Sequence, residues 1–231
     1  MTHLVVLPGL DGTATLQSAF VSAVDSAFES VTVVSYPADR ILDYSELEML
    51  ARAALPHGVP FVLLGESFSG PIALSIAADP PPDLVGVVLS TTFARSPVRL
   101  LSPLASFTRF APVRTLPLSF LWWWLLGRWT TPQLESSLKD ALLSVAPAVL
   151  RSRAAIALRV NVASRLRDIS IPMLYLRATE DRLLSRSAGH QIRSVASNVR
   201  SIDIDGPHLL LQASPQASAL AVSNFAAQFT C

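Results

Sequence analysis

Cysteine is almost missing from this chain: Cys231 is the only one. No internal disulfide and no cysteine-ligated zinc site can therefore hold the fold, and a reducing compartment is expected. Lysine is equally scarce, with Lys139 alone among the basic residues, the rest being arginine. Charged residues make up only 15% of the 231 positions, against a usual share of about 25%. With 51% hydrophobic residues, that shortage excludes a disordered chain and predicts one large buried core. The net charge of +1 gives no overall electrostatic footprint for nucleic acid. Nor is there a long apolar stretch. The longest strictly apolar run covers residues 120–126, far short of the roughly 20 that a membrane span needs. The first eight residues lack the basic region, apolar core and cleavage site of a secretory leader, so a cytoplasmic location is expected.

What the chain does contain is a series of short apolar runs at residues 4–7, 31–35, 61–64, 85–89, 173–176 and 201–204, separated by helix-length segments. Alternation of this kind predicts βαβ units and a mostly parallel sheet of about six strands, covered by helices on both faces as a three-layer α/β fold. Right-handed crossovers would bring the carboxyl ends of all the strands to one edge, where ligands bind in open parallel sheets.

The third of these runs leads into Gly65-Glu66-Ser67-Phe68-Ser69-Gly70-Pro71 and then an apolar helical pattern. A serine between a buried strand and a buried helix sits on a sharp turn that projects its hydroxyl, and the segment is close to the G-x-S-x-G nucleophile elbow. The second small position is Ser69, with glycine one place later at Gly70. A plain Ser/Gly turn joining a strand to a helix is the alternative reading of this stretch alone. After the first run, Leu7-Pro8-Gly9-Leu10-Asp11-Gly12-Thr13 suits a loop whose backbone N–H groups face a ligand oxygen. It lacks the spacing and the lysine of a phosphate-binding loop. The Leu10 and Phe68 N–H groups are the candidate donors for an oxyanion.

Between about residues 93 and 167 the alternation stops, and helical segments punctuated by prolines take its place. This predicts a helical cap inserted into a core formed by residues 1–92 and 168–231. Its first half carries Arg95, Arg99, Arg109, Arg114 and Arg128, no acidic residue, and all four tryptophans, Trp122, Trp123, Trp124 and Trp129. Three readings stand: a helix pair packed on the core, a lid facing a lipid surface, and a docking face for an acidic carrier protein. Trp122, Trp123, Leu10 and Leu209 are the candidate substrate-binding residues.

A serine hydroxyl needs a base within hydrogen-bond reach. Of the four histidines, His3 opens the first strand, His57 lies at the opposite sheet edge, and His190 falls within a helical pattern. His208, in the loop after the last strand, is the candidate base. Asp181, after the preceding strand, is the candidate acid to orient it, with Glu180 as the alternative. The order serine, acid, histidine is that of α/β-hydrolases. On the two motifs above, with Ala178-Thr179-Glu180-Asp181-Arg182 and Gly206-Pro207-His208-Leu209-Leu210-Leu211-Gln212, the chain resembles the α/β-hydrolase superfamily, in particular its small esterase and lipase members. It departs from that pattern in beginning at the family's third strand and in replacing a histidine-glycine pair by Pro8-Gly9. The resemblance implies a serine hydrolase acting on a small acyl ester through an acyl-enzyme, with no cofactor and no metal. A thioesterase, an acyl-carrier-protein methyl-ester esterase and an acyltransferase would share the same triad, and a non-catalytic ligand-binding relative is the alternative outside enzymes.

Overall fold

The computed structural model describes residues 2–96, 118–184, 186–196 and 198–229. Of the residues singled out above, Arg99, Arg109, Arg114 and Cys231 lie outside them. Six strands form one sheet in the order β2-β1-β3-β4-β5-β6: β1 His3–Leu7, β2 Ser30–Val33, β3 Phe61–Glu66, β4 Leu84–Ser90, β5 Met173–Ala178 and β6 Val199–Ile204. Every neighbouring pair is parallel, so the sheet is wholly rather than mostly parallel.

The period-2 geometry of a strand sorts the side chains into two cores. Val5, Leu7, Phe61, Leu63, Val87, Leu89, Met173 and Tyr175 face one side, against α2 (Tyr44–Ala53) and α3 (Gly70–Ala78). Leu4, Val6, Val62, Leu64, Val88, Leu174 and Leu176 face the other, against α1 (Ser18–Val24) and α9 (Pro215–Ala226). Both faces of the central strands are dry, which is why these strands read as continuous apolar runs instead of alternating ones. The helix ends are set by local chemistry. Asp43 and Glu46 form a capping box at the start of α2, and the three prolines at 80–82 prevent α3 from continuing.

Between β4 and β5 lie α4 (Leu118–Leu125), α5 (Pro132–Leu143) and α6 (Pro147–Ala157). The two ends of this segment meet at its base. The Ser96 N–H donates to the Val160 carbonyl at 2.9 Å and the Val162 N–H to the Ala94 carbonyl at 2.8 Å, around an antiparallel bridge between Arg95 and Asn161. Among the described residues no helix is long and apolar enough to cross a membrane.

The sheet order reverses between β1 and β3, since the chain leaves β1 towards β2 and then returns to the other side. The loops after β1 and β3 therefore sit side by side at the switch point, where parallel sheets form a crevice. The remaining α-helices among the described residues are α7 (Arg186–Val195), before β6, and α8 (Leu210–Ala213), just after the His208 loop.

Candidate active site

Ser67 follows β3 at once and has φ +45°, a left-handed conformation that costs a non-glycine residue roughly 1–2 kcal/mol. Close packing on both sides holds it there. A Cβ on Gly65 would lie 2.7 Å from the Ala73 Cβ, and one on Gly70 would lie 1.9 Å from Thr92 Oγ1. Gly70, not position 69, is thus where the elbow demands glycine. The Thr92 hydroxyl donates to the Ser67 carbonyl, and the Tyr44 hydroxyl to the Phe68 carbonyl at 3.0 Å.

Position 69 has a different use. Ser69 is fully buried, and its one hydroxyl proton goes to the Pro8 carbonyl. The Tyr36 hydroxyl, 2.9 Å from Ser69 Oγ, must then be the donor in that pair. Burial raises the Tyr36 pKa, which keeps it a neutral phenol. The serine that replaces glycine in the motif therefore ties the elbow to the loop after β1.

His208 is 2% exposed. Its Nε2 lies 2.8 Å from Ser67 Oγ and its Nδ1 lies 2.9 Å from Asp181 Oδ2. The second oxygen of Asp181 accepts the Leu183 and Leu184 N–H groups, each at 2.8 Å, so the carboxylate is fixed at both ends. Glu180, the alternative acid, points elsewhere, into an ion pair with Arg128 at 2.5 Å. The other histidines are remote in function: His3 Nδ1 bonds Ser30 Oγ at 2.6 Å, while His57 and His190 are exposed.

His208 starts from β6, at the sheet edge, and has to reach a serine on β3. Its loop is held over that distance at several points. The Glu180 N–H donates to the Gly206 carbonyl at 3.0 Å. Four residues beyond the histidine, Gln212 Nε2 donates to Glu66 Oε1 at 3.0 Å, beside the serine itself. Gln17 Nε2 donates to the other oxygen of Glu66 at 2.5 Å. Burial raises the Glu66 pKa, an effect its two amide donors reduce. Asp11 is similarly buried with a raised pKa and accepts the Thr13 N–H at 2.9 Å and the Thr13 hydroxyl at 2.5 Å.

Leu10 lies in the loop after β1 and Phe68 in the turn directly after β3, side by side at the switch point. Of the candidate substrate contacts, Trp122 and Leu209 share an apolar cluster with Leu16, Leu138 and Ala141. Leu209 also donates its N–H to the Leu125 carbonyl at 3.4 Å. Trp123 is outside that cluster, 57% exposed, with its ring 4.7 Å from the Arg182 guanidinium and stacked on Phe120. Among the described residues no group of three or more His, Cys, Asp and Glu is placed to hold a metal ion.

Several residues around the site carried no signal in the sequence. Tyr36, Tyr44 and Gln17 lie outside the quoted motifs and read as ordinary helix and loop positions. Arg153 is the strongest case, a buried arginine on α6 that binds the loop after β1. The arginines noted above were those before Trp129.

A parallel six-stranded sheet flanked by helices, with a serine at a strained strand-to-helix turn at its switch point, defines the α/β-hydrolase fold. The chain belongs to the Hydrolase_4 family, described as serine aminopeptidase, S33, whose model matches residues 34–205. The matched stretch takes in Ser67 and Asp181 and leaves out Leu10 and His208. No curated protein matches the chain. Among solved structures it is similar to the enol-lactonase from Burkholderia xenovorans, at 16% identity and TM-score 0.84, covering 98% of this chain and 91% of that one. A thermophilic esterase from Thermogutta terrifontis superposes with TM-score 0.81 at 16% identity, covering 99% and 90%. A lipase-esterase related protein from Clostridium acetobutylicum gives TM-score 0.80 at 15% identity, covering 97% and 94%. At these identities the likeness is one of fold.

Proposed function

We propose that this hydrolase cleaves carboxylic esters through an acyl-enzyme on Ser67. The observation that carries the reading is the relay of contacts from Ser67 Oγ to His208 Nε2, 2.8 Å, and from His208 Nδ1 to Asp181 Oδ2, 2.9 Å. His208 takes the Ser67 proton as Oγ attacks the ester carbonyl carbon, and the carbonyl oxygen becomes an oxyanion held by the Leu10 and Phe68 N–H groups. Collapse expels the alcohol, which receives that proton from His208. Water then attacks the acyl-enzyme by the same route, and the acid leaves with Ser67 restored. Asp181 keeps the imidazole in the tautomer that presents Nε2 as the acceptor and stabilises the imidazolium that forms.

Esters are favoured over peptides with a free N-terminus because such a peptide needs a carboxylate to receive its ammonium group. Near the nucleophile, Asp181 is committed to His208, and Glu66 and Asp11 are buried and committed to amide and hydroxyl donors. In this reading α4, α5 and α6 form the cap. Trp122 and Leu209 would line the acyl pocket.

The test is turnover of p-nitrophenyl acyl esters of graded chain length, with labelling of Ser67 by a fluorophosphonate. Ser67→Ala should lose turnover and labelling together. A folded Ser67→Ala protein that still hydrolyses the esters would remove Ser67 from the mechanism. Added alcohols and acyl-thioesters in the same assay separate hydrolysis from acyl transfer and thioester cleavage.

A further inference from the structure

Arg153 lies on α6, outside the parallel sheet, and is 2% exposed. A buried guanidinium is costly unless its N–H groups find acceptors. This one uses backbone carbonyls, and all of them belong to loops at the carboxyl edge of the sheet. Nη1 donates to the Leu10 carbonyl at 3.1 Å and to the Asp11 carbonyl at 2.6 Å, and Nη2 donates to the Pro37 carbonyl at 2.9 Å. Its carbon centre stands 5.7 Å from the centroid of the Tyr36 ring, whose hydroxyl bonds Ser69.

The loop is shaped to receive it. Gly12 has φ +69°, and a Cβ there would lie 2.4 Å from Arg153 Nη1. The Gly12 N–H in turn donates to the Gly9 carbonyl at 3.1 Å. That carbonyl and the Leu10 N–H belong to one rigid peptide plane, so fixing the first fixes the direction of the second. Arg153 holds the next two carbonyls along the chain. The Leu10 N–H is therefore set by a turn that closes on a side chain from the segment between β4 and β5.

We propose that Arg153 is a positioning residue for the hydrolysis: from α6 it aims the Leu10 N–H at the oxyanion and couples the helical segment to the chemistry at Ser67. It touches neither substrate nor reacting atoms. The inference rests on the acyl-enzyme reading above. Because the oxyanion exists only on the way through the transition state, loss of aim lowers kcat and leaves ground-state binding alone. Removing an oxyanion donor outright costs about 10²–10³-fold, so a donor that is present but displaced should cost about 10–100-fold.

The test compares Arg153→Met, Arg153→Lys and, as a control on the same helix, Arg151→Met, by kcat and KM on a p-nitrophenyl ester and by inhibition with an alkyl boronic acid, which forms a tetrahedral adduct on the serine. Arg153→Met should lower kcat about 10–100-fold with KM within about 3-fold, and weaken boronate inhibition in parallel. Arg153→Lys should recover part of the loss, since an ammonium reaches fewer of the three carbonyls. Arg151→Met should match wild type. A folded Arg153→Met protein with unchanged kcat, or with its whole loss in KM, overturns the proposal. If that variant fails to fold, Arg153→Lys decides alone: wild-type kcat and wild-type boronate inhibition overturn the proposal. Persistence of activity in Ser67→Ala would instead refute the acyl-enzyme reading, independently of any Arg153 result.

Discussion

The loops that carry Leu10 and Asp181, after β1 and β5, are held in different ways. The loop after β1, residues 7–13, is fixed by buried side chains from elsewhere in the fold: Ser69 on the Pro8 carbonyl and Arg153 on the Leu10 and Asp11 carbonyls. The loop after β5, residues 178–184, is held by its own backbone on Asp181, by the Thr179 and Glu180 N–H groups on the Ile204 and Gly206 carbonyls at 3.0 Å each, and by side-chain contacts that face water. Those are the Arg128–Glu180 ion pair, the Trp124 indole N–H on the Arg182 carbonyl at 2.9 Å, and Arg182 on the Trp123 carbonyl at 2.7 Å. Dry contacts to backbone carbonyls resist salt and leave unpaired groups behind when broken, whereas exposed pairs do neither. The loop after β1 is thus held by buried side chains from α6 and the elbow, and the side chains around the loop after β5 add mainly exposed pairs to its backbone bonds.

The sharpest way to break the acid side is to change Asp181 without changing its shape. Asp181→Asn keeps the size but offers an amide N–H or carbonyl where the imidazole needs a carboxylate, so His208 takes the wrong tautomer. We expect kcat to fall on the order of 10³–10⁴-fold with little change in Tm. Glu180→Gln, one residue away, should stay near wild type. Equal losses in the two variants would erase the distinction between the acids.

In the loop after β1 the corresponding lesion is Gly12→Ala. It forces a Cβ into a φ of +69° and into the space of the Arg153 guanidinium, 2.4 Å away. The conformational part alone costs about 1–2 kcal/mol, and displacing a buried cation adds to it. Tm should fall by roughly 5–10 °C and kcat should fall with it. A Gly12→Ala protein with wild-type Tm would show that the loop is not clamped.

How much of this was legible along the chain follows from the range of each interaction. Strand positions were readable because burial on both faces writes itself as a local apolar run. The three residues of the relay were readable because each follows a strand in a parallel sheet, so topology puts them on one edge whatever the side-chain detail. Arg153 and Tyr36 were not, because their partners, backbone carbonyls and the Ser69 hydroxyl, are distant in sequence and leave no local pattern; Gln212 stood in the motif after β6, but its bond to the distant Glu66 carboxyl did not show. Ser69 shows the boundary. It looked like a deviation within the elbow, and only the placement of Pro8 and Tyr36 around it gives it a structural task.

Between the two loops stands Glu66, whose buried carboxyl receives Gln17 and Gln212. Its folded pKa is raised above the unfolded value by burial, so the fold holds a proton that the unfolded chain releases. The stability it contributes is complete below the ordinary carboxylate range, about pH 4, and is lost as pH rises through the folded value. Wild-type Tm should therefore decline over that window more steeply than that of Glu66→Gln. Gln212 Oε1, buried without a partner, is an acceptor that the new amide could use if Gln212 turned over. Asp11, raised in the same direction, leaves a shallower decline in the variant. Parallel Tm–pH curves for the two proteins would contradict the buried-carboxyl account.

The smallest effect should come from Arg128, although it is the most conspicuous charge near the acid loop. Its guanidinium pairs with Glu180 at 2.5 Å and approaches Asp205 at 3.6 Å, but its side chain is 63% exposed. Water and salt screen such a pair, and holding two long side chains together costs entropy that offsets the attraction. Burial is what separates it from Arg153, which has the same guanidinium and no comparable access to water. Arg128→Met should change kcat less than about 3-fold and Tm by no more than about 2 °C. Raising the salt concentration on wild type should reproduce most of whatever remains, because both remove the same screened attraction. A loss in Arg128→Met as deep as that in Gly12→Ala would mean that the loop after β5 is clamped by its exposed pairs as firmly as the loop after β1 is by Arg153, and the contrast between them would fall.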